Sequence, residues 1–133
     1  MLREFQNYLA TINTTSEFVD EERTMLHFNI DGINYLFVYN ANSDPAYIRI
    51  LIPYAGTVDV GNQNDLLMLH NLTVRFKIGK AYADNGQVWF ATEAFVYTKD
   101  CVYQVFQRMI SVLRDMLIHY RAITNERETT TNQ

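Results

Sequence analysis

A single cysteine, Cys101, is the only thiol in the chain, so no internal disulfide can form and a reducing, cytoplasmic compartment is expected. Glycine is scarce too: there are five, none in the G-x-G-x-x-G spacing that cradles a phosphate, and C-x-x-C is missing. Nucleotide binding through a standard cradle is disfavoured. Positive charge is in deficit, eleven Lys and Arg against fifteen Asp and Glu for a formal charge of -4. That balance offers no long-range attraction to a phosphate backbone, so no nucleic acid partner is expected. No apolar run approaches the ~18 residues of a membrane span, and residues 1 to 10 lack the apolar stretch and cleavage site of an export signal. Neither membrane insertion nor export is expected.

Chemistry-bearing residues are few and scattered. His27, His70 and His119 fall on different predicted elements, and none has the i, i+4 partner of a helical zinc pair. Cys101 stands near the start of a predicted helix, two residues after Lys99, and both features lower a thiol pKa. The sequence places no histidine beside it as a base, which leaves a packed or semi-exposed thiol rather than a nucleophile. Glu17, Asp20, Glu21 and Glu22 form an acidic run without the alternating oxygens and central glycine of an EF-hand loop. The expectation is a protein with no catalytic residues, no cofactor and no metal.

Apolar residues fill 48% of the 133 positions and charged ones 20%, well clear of the composition of disorder. A chain of this length suits one domain, read as 1–123, and the polar residues after Ile123 read as a frayed tail, 124–133. Leu2, Phe5, Leu9 and Ile12 recur at helical spacing and predict a first helix over 2–12. The polar stretch 13–23 reads as a loop, part of which could begin a strand. From Thr24 the period changes to two, and Asp31-Gly32 separates two alternating runs as a type I′ hairpin turn does. A turn-rich connection over 40–45 leads to a third strand over 46–54. Asn62 or Asn64 caps a second helix over 65–74. Residues 76–83 and 87–97 flank a second hairpin turn at Asn85-Gly86. The final helix is the clearest element: Val102, Val105, Phe106, Met109, Ile110, Leu113, Met116, Leu117 and Tyr120 step along one face, after Thr98 or Asp100 as cap.

The order predicted is α-β-β-β-α-β-β-α, an α+β fold with a five-stranded, mainly antiparallel sheet and the first and third helices packed on one face. Pairing across the first turn sets Ile30 opposite Ile33, Phe28 opposite Tyr35 and Leu26 opposite Phe37. Those six, with Ile48, Ile50 and Ile52, form the predicted core. The second hairpin adds Gly79, Ala81, Ala83, Val88, Phe90 and Ala94, whose small members would let a helix approach closely. Parity sends Met25, His27, Leu36, Val38, Tyr47, Arg49, Leu51, Phe76, Ile78, Lys80, Tyr82, Trp89 and Phe95 to the opposite face, which mixes aromatic rings with charge.

The stretch from Asn64-Asp65-Leu66-Leu67-Met68-Leu69-His70-Asn71 through Gly79-Lys80-Ala81-Tyr82 to Asp84-Asn85-Gly86-Gln87-Val88-Trp89-Phe90, ahead of a long amphipathic helix, resembles the YbjN-like branch of the type III secretion chaperone-like superfamily. The resemblance rests on this short motif and on element order along nearly the whole chain. It implies the same fold, a homodimer and the binding of other proteins rather than catalysis. The functional expectation is a chaperone-like or adaptor-like module that holds a protein segment on its mixed face, through Leu36, Val38, Tyr47, Arg49, Tyr82 and Trp89. The alternatives are closure of that face by the second helix or a dimer mate, and a small-molecule binder. The last would hold an anionic ligand between sheet and second helix, with Arg49 and Lys80 as anchors.

Overall fold

The computed structural model describes residues 2–22, 24–40 and 46–131, without the side chains of residue 99 and residues 128–131. The turn expected within 41–45 and the last two tail positions lie outside the described residues. Helix α1 (Leu2–Thr11) precedes strands β1 (Ser16–Phe18), β2 (Met25–Ile30), β3 (Ile33–Asn40) and β4 (Ala46–Thr57). Helix α2 (Gln63–Arg75), strands β5 (Gly79–Asp84) and β6 (Gln87–Val96), and helix α3 (Lys99–Thr131) complete the chain. The fold is α+β, and the antiparallel sheet has six strands in the order β1-β2-β3-β4-β6-β5 rather than the five expected. The added strand is β1, three residues cut from the polar stretch; so short a segment carries no readable alternation. It is held because Asp20 turns the chain, its carboxylate accepting hydrogen bonds from the amides of Thr24 and Met25.

Both two-residue turns take the left-handed conformation at both positions, with φ of 54° and 83° at Asp31 and Gly32 and 52° and 75° at Asn85 and Gly86. That is the type I′ geometry, whose twist matches the flanking strands. The register that follows is the expected one, Ile30 against Ile33, Phe28 against Tyr35, and Leu26 against Phe37. Leu26, Phe28, Tyr35, Phe37, Ile48, Ile50, Ile52, Val88 and Phe90 are buried, while Ile30 and Ile33 are only partly so, since they flank the turn at the rim. Thr92 shares this face and is fully buried, its hydroxyl donating to the Ile50 carbonyl.

Helix α1 covers β1 and β2, and α3 covers β4, β5 and β6 on the same face. Phe5 joins the two, stacked on Phe37 at 3.9 Å and edge-on to Phe106 at 5.1 Å between ring centres. Ile12, expected in the apolar stripe of α1, is 38% exposed because the helix has ended at Thr11. Two glycines set the seat of α3. A methyl at Gly79 would stand 2.5 Å from Met116 Sδ and 3.1 Å from Val112 Cγ1, and one at Gly56 would collide with the Tyr120 ring and hydroxyl.

Helix α2 lies in the same layer as α1 and α3, not on the mixed face. Met68, Leu69 and Leu72 join the core with Leu117 and Tyr120, and Arg127 Nη1 on α3 meets Asp65 Oδ1 at 3.0 Å. The Thr73 hydroxyl lies against the edge of β5, accepting from the Ala81 amide at 2.9 Å and donating to the Leu69 carbonyl, with the Ala81 carbonyl 3.3 Å away. At the other edge the Gln6 side chain donates to the Ser16 carbonyl. Strand β5 begins at Gly79, so Phe76 and Ile78 are not on the mixed face as expected. Phe76 caps α2 and sets its ring 5.9 Å from His119, and Ile78 is in the connection. The polar residues from Thr124 onward, expected to be frayed, continue α3 as helix to Thr131, the Thr124 hydroxyl donating to the Tyr120 carbonyl.

Met116 is fully buried and must be displaced by any side chain added beneath it. Gly79→Ala is therefore expected to lose about 1–3 kcal/mol of unfolding free energy in a urea titration.

Candidate functional site

Four cross-strand rows build the mixed face from the register. Val38, Arg49 and Glu93 form one. Glu17, His27, Leu36, Leu51, Ala91 and Lys80 form a second that crosses all six strands. Trp89 and Tyr82 pair in a third, and Tyr47 pairs with Phe95 beyond the first. All six residues expected from the sequence, Leu36, Val38, Tyr47, Arg49, Tyr82 and Trp89, stand on this one side, each partly buried.

Glu93, which the sequence reading passed over, holds the centre. Its Oε1 lies 2.8 Å from Lys80 Nζ and 3.1 Å from Arg49 Nε. The second contact is coulombic, because the buried Nε–H finds no acceptor in hydrogen-bond alignment. Arg49 Nη2 reaches the Tyr82 hydroxyl at 3.5 Å, so the guanidinium passes diagonally over the row of Leu51 and Ala91. This explains why those two are buried on a face that no helix covers. Burial alone would raise the Glu93 carboxyl, but hydrogen bonds from Lys80 and Tyr47 and the charges of Lys80 and Arg49 outweigh it and hold the group below its ordinary value. The Tyr47 phenol is pushed up to about 12, first by desolvation and then by its bond to the Glu93 carboxylate.

Aromatic pairs stand at both ends of this charged centre. Tyr47 and Phe95 are 5.9 Å apart between ring centres, with Phe95 64% exposed. At the other end Tyr54 and Trp89 are 4.9 Å apart, with Tyr54 68% exposed. Tyr54 is there because β4 bulges: Ile52 pairs with Phe90 and Gly56 with Val88, so residues 53–55 oppose Trp89 alone. Pro53 suits such a site, having no amide to offer the ladder. Tyr54 takes φ of 51°, a conformation a bulky residue adopts only at a cost. Parity could have found Glu93, two residues from Phe95 on one strand; the bulge that presents Tyr54 has no sequence signal beyond Pro53.

The cluster of two cations and one carboxylate keeps a single net positive charge, and its members are engaged with one another. Because α2 packs on the opposite side of the sheet, Arg49 and Lys80 do not line a cleft between sheet and α2, where the sequence placed an anion site. Among the described residues no group of three His, Cys, Asp or Glu side chains gathers to hold a metal, and no helix is long and apolar enough to cross a membrane. Cys101 is half-buried beside Thr98, whose hydroxyl, 3.3 Å from Sγ, together with its backbone lowers the thiol pKa.

Because the Glu93 carboxyl is depressed on folding, its contribution to stability is complete above the unfolded value of about 4.3 and is lost as pH falls from there through the folded value. Glu93→Gln should flatten that acid limb in urea titrations between pH 5 and pH 2, readings set by ~1 unit steps. An unchanged slope would show that the pairings contribute nothing.

Compared with protein-family models and with curated proteins, the chain matches none.

Proposed function

We propose that the protein is a non-catalytic binding module, chaperone-like or adaptor-like, that holds a segment of another protein on its uncovered sheet face. The observation that carries the reading is the pairing of exposed aromatics at both ends of that face, Phe95 beside Tyr47 and Tyr54 beside Trp89, around a charged centre. Large rings with polar tips bury much area at little conformational cost, which is why they dominate recognition surfaces. Tyr97, the residue after the end of β6, is 79% exposed.

From Phe95 to Trp89 is six residues of β6, roughly 20 Å at ~3.3 Å per residue. A segment lying along β6 would set one apolar or aromatic residue on each pair. The net positive centre of Arg49, Lys80 and Glu93 favours an acidic residue midway. The likeness to the YbjN-like branch supports the same reading and adds a homodimer to it, in a cytoplasmic setting.

Trp89 is the sole tryptophan, so intrinsic fluorescence reports directly on the face. Peptides selected from a random display library are expected to shift the Trp89 emission and to share the aromatic-acidic-aromatic spacing. Tyr47→Ala with Phe95→Ala should weaken them at least tenfold without changing the circular dichroism spectrum. Selected peptides that bind the double variant as well as the parent would sink the proposal. Sedimentation equilibrium tests the homodimer separately.

A further inference from the structure

Among the described non-glycine residues, five take positive φ, and three of them are the Asn or Asp residues that tolerate it. The other two are Tyr54, on the face described above, and Ile78, at φ 60°. A β-branched side chain in that conformation is a true outlier, and Ile78 also leaves its apolar side chain 59% exposed. The chain therefore carries two unfavourable features at one residue. Strain of this kind concentrates at ligand sites.

Ile78 lines a groove of about 580 Å³ between the α2–β5 connection and α3, together with Lys77, Gln107, Arg108, Ser111 and Val112. The groove is on the helical side of the sheet, beside the point where Val112 and Met116 close over Gly79. Its volume is within the range of small-ligand sites. Ile78 and Val112 give it an apolar body, and Lys77 and Arg108 put two cations on it in a chain whose formal charge is -4. An apolar cleft with a local excess of positive charge matches a molecule with an apolar body and one anionic head.

We propose that this groove binds a free anionic amphiphile, an alkyl chain carrying one carboxylate or phosphate. The alkyl chain lies against Ile78 and Val112, and the head sits between the Lys77 ammonium and the Arg108 guanidinium. Binding covers the exposed Ile78 side chain, which is what the strained backbone presents. The site is independent of the sheet face: neither Lys77 nor Arg108 belongs to the rows that build it.

The test uses the whole protein with sodium decanoate and decyl phosphate below their micellar concentrations, and decanol, inorganic phosphate and anionic phospholipid vesicles as comparisons. Calorimetry should show saturable binding of decanoate or decyl phosphate, with the methyl resonances of Ile78 and Val112 shifted in nuclear magnetic resonance spectra. Lys77→Glu with Arg108→Glu should weaken binding at least tenfold, and decanol and inorganic phosphate should each bind at least tenfold more weakly. Ile78→Gly separates ligand from fold: it relieves the strained φ, so the melting temperature holds or rises while affinity falls at least fivefold. No methyl shift up to the micellar limit, binding that survives the charge reversal or Ile78→Gly, equal affinity for decanol, or association with vesicles alone would each overturn the proposal.

Discussion

The seating of α3 on the sheet governs the rest of the molecule. Side chains of its middle and C-terminal turns press so near the strands that Gly56 and Gly79 must lack a Cβ. That contact commits one face of the sheet to burial and draws α1 and α2 into the same layer, the first beside Phe106 and the second beside Leu117 and Tyr120. With all three helices on one side, no helix among the described residues covers the other face. The same constraint reaches the α2–β5 connection. Phe76 is docked at His119 and Gly79 under Met116, so only two residues, Lys77 and Ile78, span the connection between these fixed points.

Local signals in the sequence carried most of this architecture. Asp-Gly and Asn-Gly between alternating runs specify both hairpins because only residues tolerant of positive φ can close a type I′ turn, and the pairing then fixes which side chains share a face. Helix α3 was legible because its apolar steps persist over many turns. Features set by tertiary contact were not. Strand β1 is three residues long and depends on the Asp20 carboxylate, and the helical course of α3 past Ile123 depends in part on Arg127 finding Asp65 across space. The side on which α2 lies also could not be read, since its outer face keeps Leu66, Leu67 and Val74 exposed and blurs the amphipathic pattern.

The mixed face divides along the same line. Alternation alone placed Leu36, Val38, Tyr47, Arg49, Tyr82 and Trp89 together. What alternation does not show is that the charges answer one another, through Glu93, across three strands. The sequence presents Arg49 and Lys80 as unspent cations; the structure turns them into a polar lid over Leu51 and Ala91. Tyr54 joins the surface only because three residues of β4 stand against one of β6.

Both margins of the sheet are finished in different ways. The Thr73 hydroxyl takes the place of a neighbouring strand along β5, and β1 is too brief to template one, with the Ser16 carbonyl already given to Gln6. Open margins invite end-to-end stacking of chains into fibrils, a hazard that grows with concentration. A molecule closed in this way can display a broad, ring-rich surface at high concentration without polymerising through its backbone.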